Sequence, residues 1–101
     1  MPAKEFFESL PGEVEPEKIV GLNHSYLFQV AGEGSWLVDV RDGAVAVTEG
    51  WDGEADATIS TSSEVFERLA SGKQNPATAY MTGKLKVSGD INAALKLQKL
   101  F

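Results

Sequence analysis

Few groups in this chain can do covalent chemistry. His24 is the only histidine and cysteine is absent, so neither a thiol nucleophile nor a histidine pair can be assembled. No G-x-S-x-G turn is present to expose an activated serine. By alternation His24 falls on the same strand face as Leu22 and Tyr26, where a single imidazole reads as a packed or edge residue with one hydrogen-bond partner. The acids are spread along turns and exposed strand faces, and no two are placed together for acid–base work. Asp52, Glu54 and Asp56 alternate, but the segment lacks the twelve-residue loop and terminal glutamate of a calcium site. It reads as a solvated loop. Gly32-x-Gly34 lies between two strands and opens no helix, so it reads as a hairpin turn rather than a phosphate loop. No catalytic residue, metal or cofactor is expected.

The bulk properties narrow the partners. At 101 residues with 43% apolar residues, residues 1–101 read as a single domain able to build one core. The net charge of −6 argues against nucleic acid, which needs a basic field to displace counterions. Residues 1–60 hold twelve acids against three bases, and residues 61–101 hold three acids against six bases. That asymmetry reads either as ordinary solvated charge or as a mildly basic face meeting anionic head groups, acyl-CoA phosphates or an anionic membrane surface. No run is long and apolar enough to span a membrane. The first residues lack a secretory signal, and Lys99-Leu100-Phe101 does not match the peroxisomal S-K-L address. Cytoplasm is the expectation.

The elements follow from periodicity and punctuation. Phe6, Phe7 and Leu10 sit at helical spacing in a segment that Pro11-Gly12 should end, and Pro16 should open a second short helix closed by Gly21. Strands are expected over 22–31, 35–41, 44–49 and 55–60. Leu22, Tyr26, Phe28 and Val30 share a face in the first, and Trp36, Val38 and Val40 in the second. Val45 and Val47 do so in the third, Ala57 and Ile59 in the fourth. Asp42-Gly43 is a two-residue hairpin signal. Thr61-Ser62-Ser63-Glu64 fits a capping box with Thr61 as the cap. Its helix carries Val65, Phe66, Leu69 and Ala70 as an apolar stripe.

Residues 72–98 are the most specific part of the chain. Gly72 suits the left-handed end of a helix, and Asn75-Pro76 reads as an N-cap and first helical residue. Gly83 closes that helix, residues 84–88 alternate as a fifth strand, and Gly89-Asp90 turns into a last helix. This run resembles the sterol carrier protein 2 lipid-binding domains. Their pattern is a G-K-x-N-P-x-x-A-x-x-x-G-K-L-K-x-x-G-[DN] run followed by a helix containing K-L-Q. It stands here as Gly72-Lys73, Asn75-Pro76, Ala79, Gly83-Lys84-Leu85-Lys86, Gly89-Asp90 and Lys96-Leu97-Gln98.

The resemblance covers roughly residues 17–101. It implies an α+β fold: a five-stranded mixed or antiparallel sheet, helices packed on one face, and an apolar tunnel between the layers. It implies non-catalytic binding or transfer of a small hydrophobic ligand, such as a fatty acid, acyl-CoA, phospholipid or sterol-like molecule. Longer relatives continue past the position of Gln98 with a tail that shapes one end of the tunnel, so closure and ligand range stay open.

Phe28, Trp36, Val38, Phe66, Leu69, Tyr80, Met81, Leu85, Ile91 and Leu95 are expected to point into that layer. Ile91, Leu95, Tyr80 and Met81 are the foremost candidates to line a ligand. Gln98 shares a helix face with Ile91, Ala94 and Leu95, and either bonds backbone at the tunnel mouth or orients a head group. The alternative function is a structural or dimerisation module assisting a partner enzyme, for which Leu97, Leu100 and Phe101 would widen an interface. Monomer and homodimer are both open. An esterase or thioesterase is disfavoured by the missing catalytic constellation.

Overall fold

Alternating apolar residues build one five-stranded sheet, seen in a computed structural model that describes residues 3–15, 17, 19–50 and 53–96. The strands are β1 (His24–Ala31), β2 (Gly34–Arg41), β3 (Ala44–Glu49), β4 (Ala57–Ser62) and β5 (Leu85–Gly89). They lie in the order β3-β2-β1-β4-β5. Only the β1–β4 pair is parallel. β4 lies beside β1 and runs in the same direction, so the sheet is mixed. The β2–β3 hairpin turns on Asp42 and Gly43, both at positive φ, as its two-residue signal requires.

Helices α1 (Ala3–Glu13), α2 (Ser63–Ala70), α3 (Pro76–Met81) and α4 (Ile91–Leu95) complete the described elements. Registers align the inward residues in rows across the strands. One row runs Val47, Val38, Tyr26, Ala57, Gly89. A second runs Trp36, Phe28, Ile59, Val87, and a third Val30, Thr61, Leu85. Leu27 is the exception to one-sidedness. It is buried outside the main core, opposite Leu37 and Thr58 on the outer face.

Three local expectations are corrected. Pro11 does not end α1, which runs to Glu13 and closes with Val14 N–H on the Leu10 carbonyl at 3.2 Å. Near the end of a helix the ring removes only one bond and leaves the final turn intact. The cap of α2 is Ser62, not Thr61. Ser62 Oγ accepts from Val65 N–H at 3.2 Å, while Thr61 is buried in β4 and donates to the Lys84 carbonyl. Glu64 consequently pairs with Arg68 one turn along rather than closing a box. The helix expected from Pro16 falls partly on Pro16 and Lys18, outside the described residues. Its end is a turn, with Leu22 N–H on the Ile19 carbonyl and Gly21 at φ 81°.

The punctuation of residues 72–90 is as expected. Asn75 Oδ1 caps α3 through Thr78 N–H, and Gly83 ends it in a turn that puts Lys84 N–H on the Ala79 carbonyl at 2.9 Å. Asp90 Oδ1 caps α4 through Ala93 N–H. Among the described residues no helix is long and apolar enough to cross a membrane.

Candidate functional site

The layer between sheet and helices is uneven, and the unevenness comes from the rows. On the β1–β2 side it is filled by aromatics. Phe7 of α1 stacks on Trp36 with centroids 4.9 Å apart, and lies 5.1 Å from Phe28 and 5.2 Å from Phe66. Phe6 meets Phe66 edge-on. Phe28, Trp36, Val38 and Phe66 are thus all buried, as expected, but their neighbour is a side chain of the N-terminal helix. The Trp36 indole N–H is buried with no hydrogen-bond partner among the described residues. Stacking on Phe7 sets the ring plane, and the N–H lies where packing leaves it.

On the β4–β5 side the inward residues are smaller, Ala57, Ile59 and Thr61 on β4 and Leu85 and Val87 on β5, and the helices above contribute Ala79 and Ala93, both fully buried. Leu69 and Leu85 are buried at this end too. The four residues expected most strongly to line a ligand are not enclosed. Met81 is 83% exposed, Leu95 48%, and Tyr80 and Ile91 38% each. This corrects their inward placement. The short helices α3 and α4 approach the sheet through alanines, because close approach needs small side chains, and the large residues rotate to the rim. Both helices pack against β5, so the four fringe the same side of the layer. Gln98, with Leu97, Leu100 and Phe101, lies outside the described residues.

One buried hydrogen bond fixes that geometry. Tyr26 Oη donates to the Ala93 carbonyl at 2.7 Å, joining β1 to α4 across the layer. Burial raises the Tyr26 phenol to about 12, with the Asp56 and Asp90 carboxylates adding to the shift. A raised folded-state value favours the neutral form, so the stabilisation is whole below pH 10 and drains away between pH 10 and 12. At pH 11 the loss is about 1.4 kcal/mol. Urea unfolding at pH 9 and pH 11 should show that extra loss in the natural chain and not in Tyr26→Phe.

Sequence reasoning missed Asp56. Its Oδ2 accepts the Ser25 N–H at 3.0 Å, its N–H donates to Ser25 Oγ, and its carbonyl accepts the Asp90 N–H at 2.8 Å. His24 Nδ1 lies 3.4 Å from the same carboxylate. What reads as a solvated loop acid ties together β1 and the segments entering β4 and leaving β5. No sequence signal marks it, since its partners are 31 to 34 residues away. Ser25 Oγ, beside this His24–Asp56 contact, is turned to the Asp56 backbone N–H.

The model of the SCP-2 sterol transfer family matches residues 4–101. The chain belongs to that family. The match includes α1, which the motif alone does not mark. Among curated relatives, hydroxysteroid dehydrogenase-like protein 2 of Danio rerio is 35% identical over 102 residues, 98% of this chain but 25% of that protein. Sterol carrier protein 2 of Homo sapiens is 43% identical over 68 residues, 67% of this chain and 12% of that one. The chain therefore spans about a quarter or less of the length of these relatives. Among solved structures, palmitated SCP2L2 from Aedes aegypti superposes with a TM-score of 0.80 at 22% identity, covering 99% of this chain and 94% of its own. That likeness establishes the family's α+β fold.

Proposed function

We propose that this SCP-2 family domain is a non-catalytic cytoplasmic carrier that holds one acyl lipid, or a sterol-like molecule, on the β4–β5 side of its layer. The observation that supports this most is the taper of the inward rows. The β1–β2 side is packed by five aromatic rings. The β4–β5 side carries aliphatic and small residues, Ala57, Ile59, Thr61, Leu85 and Val87, with large apolar side chains of α3 and α4 partly or largely exposed. A chain entering there meets Leu69, Leu85, Tyr80, Met81, Ile91 and Leu95, while Phe28, Trp36, Val38 and Phe66 form the far wall. Family membership supports the lipid class, and an Aedes aegypti protein of this fold is palmitated.

Energetics set the affinity. Burying a sixteen-carbon chain at ~0.8 kcal/mol per CH₂ gains at most about 12 kcal/mol, and association removes something like 4–15 kcal/mol. Micromolar binding with little selectivity along the chain is the expectation. Titration with a fluorescent fatty acid tests the placement: Met81→Trp and Leu95→Trp should each weaken binding at least fivefold. Unchanged binding in both places the lipid elsewhere.

One observation favours a second reading. In the matched relatives this domain is a minor part of a longer protein, which suits a module that assists a partner enzyme. Light scattering after size exclusion, with lipid uptake measured on the same fractions, separates the two. A stable dimer that takes up no lipid favours assembly.

A further inference from the structure

The charge of this chain is divided along its length. Residues 1–70 hold fourteen acids against Lys4, Lys18, Arg41 and Arg68, whereas residues 71–101 hold Lys73, Lys84, Lys86, Lys96 and Lys99 against one acid, Asp90. That acid is committed to the α4 cap through Ala93 N–H. The described part of the basic stretch is the turn after α2, then α3, β5 and α4, with β5 at one edge of the sheet. Lys73, Lys84, Lys86 and Lys96 are exposed there, and none is in an ion pair among the described residues.

The same elements carry the uncovered apolar side chains. Of five large apolar residues exposed among the described residues, Tyr80, Met81, Ile91 and Leu95 lie on α3 and α4, and only Val20 lies elsewhere. Connectivity keeps charge beside them. Lys84 follows Met81 across the Gly83 turn, and Lys96 is the C-cap that follows Leu95. Lys86 stands on the face of the edge strand opposite to inward Leu85. An extended surface needs no closer placement, since its field is felt over a Debye length of about 8–10 Å.

We propose that the edge built by α3, β5 and α4 docks on an anionic lipid bilayer, with Met81 and Leu95 entering the head-group region and the lysines lying over acidic head groups. An extended anionic surface matches this edge better than a small anion does. The lysines stand at separate points, after α2, on β5 and at the ends of α3 and α4, and do not converge on one centre. The first seventy residues, with their excess of acids, are repelled by the same surface, so approach is oriented with this edge first. On the carrier reading, docking lays the rim where a lipid chain enters against the membrane that supplies it. The docking itself does not rest on that reading.

The experiment sediments the chain with vesicles of phosphatidylcholine alone and of phosphatidylcholine mixed with phosphatidylserine, at low and high salt. Lys84→Gln/Lys96→Gln is compared with Lys4→Gln/Arg41→Gln, which removes the same charge from other parts of the surface. The chain has no cysteine, so Met81→Cys and, on α1, Glu8→Cys each take a single polarity-sensitive fluorophore. The expected result is binding to the anionic vesicles only, lost at high salt, weakened about tenfold by the Lys84/Lys96 pair and not by the control. The label at position 81 should shift its emission on binding, and the label at position 8 should not. No sedimentation with anionic vesicles overturns the docking surface, as does binding that the Lys84/Lys96 pair leaves unchanged, or a shift at position 8 with none at 81. A shift at position 81 that grows with protein concentration without vesicles also overturns it, and assigns the edge to a second copy of this chain. Fatty-acid titration of the same proteins keeps the two readings apart. Vesicle binding without fatty-acid uptake leaves the surface standing and removes the carrier reading, and uptake without vesicle binding does the reverse.

Discussion

Phe7→Ala is expected to lower stability by about 3–5 kcal/mol, the range for removing a buried aromatic side chain. Phe7 is fully buried and touches Phe6, Phe28, Trp36 and Phe66. Its loss opens a hole between a helix and a sheet that cannot close without moving α1. A domain of this size has about 5–15 kcal/mol in total, so the midpoint of urea unfolding should fall steeply. The same variant separates stability from binding. With the ligand on the β4–β5 side, fatty-acid affinity of the still-folded fraction should change less than twofold. A large gain in affinity or stoichiometry would mean that the aromatic side of the layer is the ligand's place and that Phe7 normally occupies it.

Gly89→Ala should be comparably severe for a different reason. Gly89 sits at φ 88°, and a Cβ there would lie 2.6 Å from the Asp56 carbonyl oxygen, which is backbone and cannot swing aside. That same oxygen accepts the Asp90 N–H, so displacing the turn loosens Asp90, and Asp90 caps α4. Backbone strain and overpacking each contribute about 1–3 kcal/mol, giving roughly 2–6 kcal/mol together. Thermal or urea unfolding reads the loss. Fatty-acid binding should fall with it, because α4 carries Ile91 and Leu95. A Gly89→Ala chain of natural stability that still binds lipid would show that the β5–α4 turn does not position the site.

The two substitutions mark where the sequence was legible and where it was not. Gly89 and Asp90 could be read directly, because turns and caps are local: a positive φ, a carboxylate and an N–H within four residues. The strand faces were legible for the same reason, and Trp36, Val38, Phe28 and Ile59 all lie buried as alternation requires. The β1–β4 parallel pairing could not be read from local pattern, and neither could the meeting of Phe7 with Trp36 across 29 residues of chain. Helix faces failed where helices were short. In α3 and α4, fewer than two turns each, the stripe of large residues and the stripe of small ones compete for the inner face. Ala79 and Ala93 won because the Schellman turn at Gly83 and the Tyr26–Ala93 bond draw both helices close to the sheet. The capping error at Thr61 has the same origin, since a buried position in β4 outweighs a good cap motif. Function was legible chiefly through the family run, whose described residues extend from the turn after α2 through α3 and β5 into α4.

Native mass spectrometry of the freshly purified chain, followed by extraction and identification of whatever it carries, tests the carrier reading most directly. The expected result is a one-to-one adduct whose mass and fragments are those of an acyl or sterol-like lipid, lost in Leu95→Trp. A clean ligand-free mass that persists after incubation with excess palmitate would contradict it, and would leave assembly with a partner enzyme as the function of this domain.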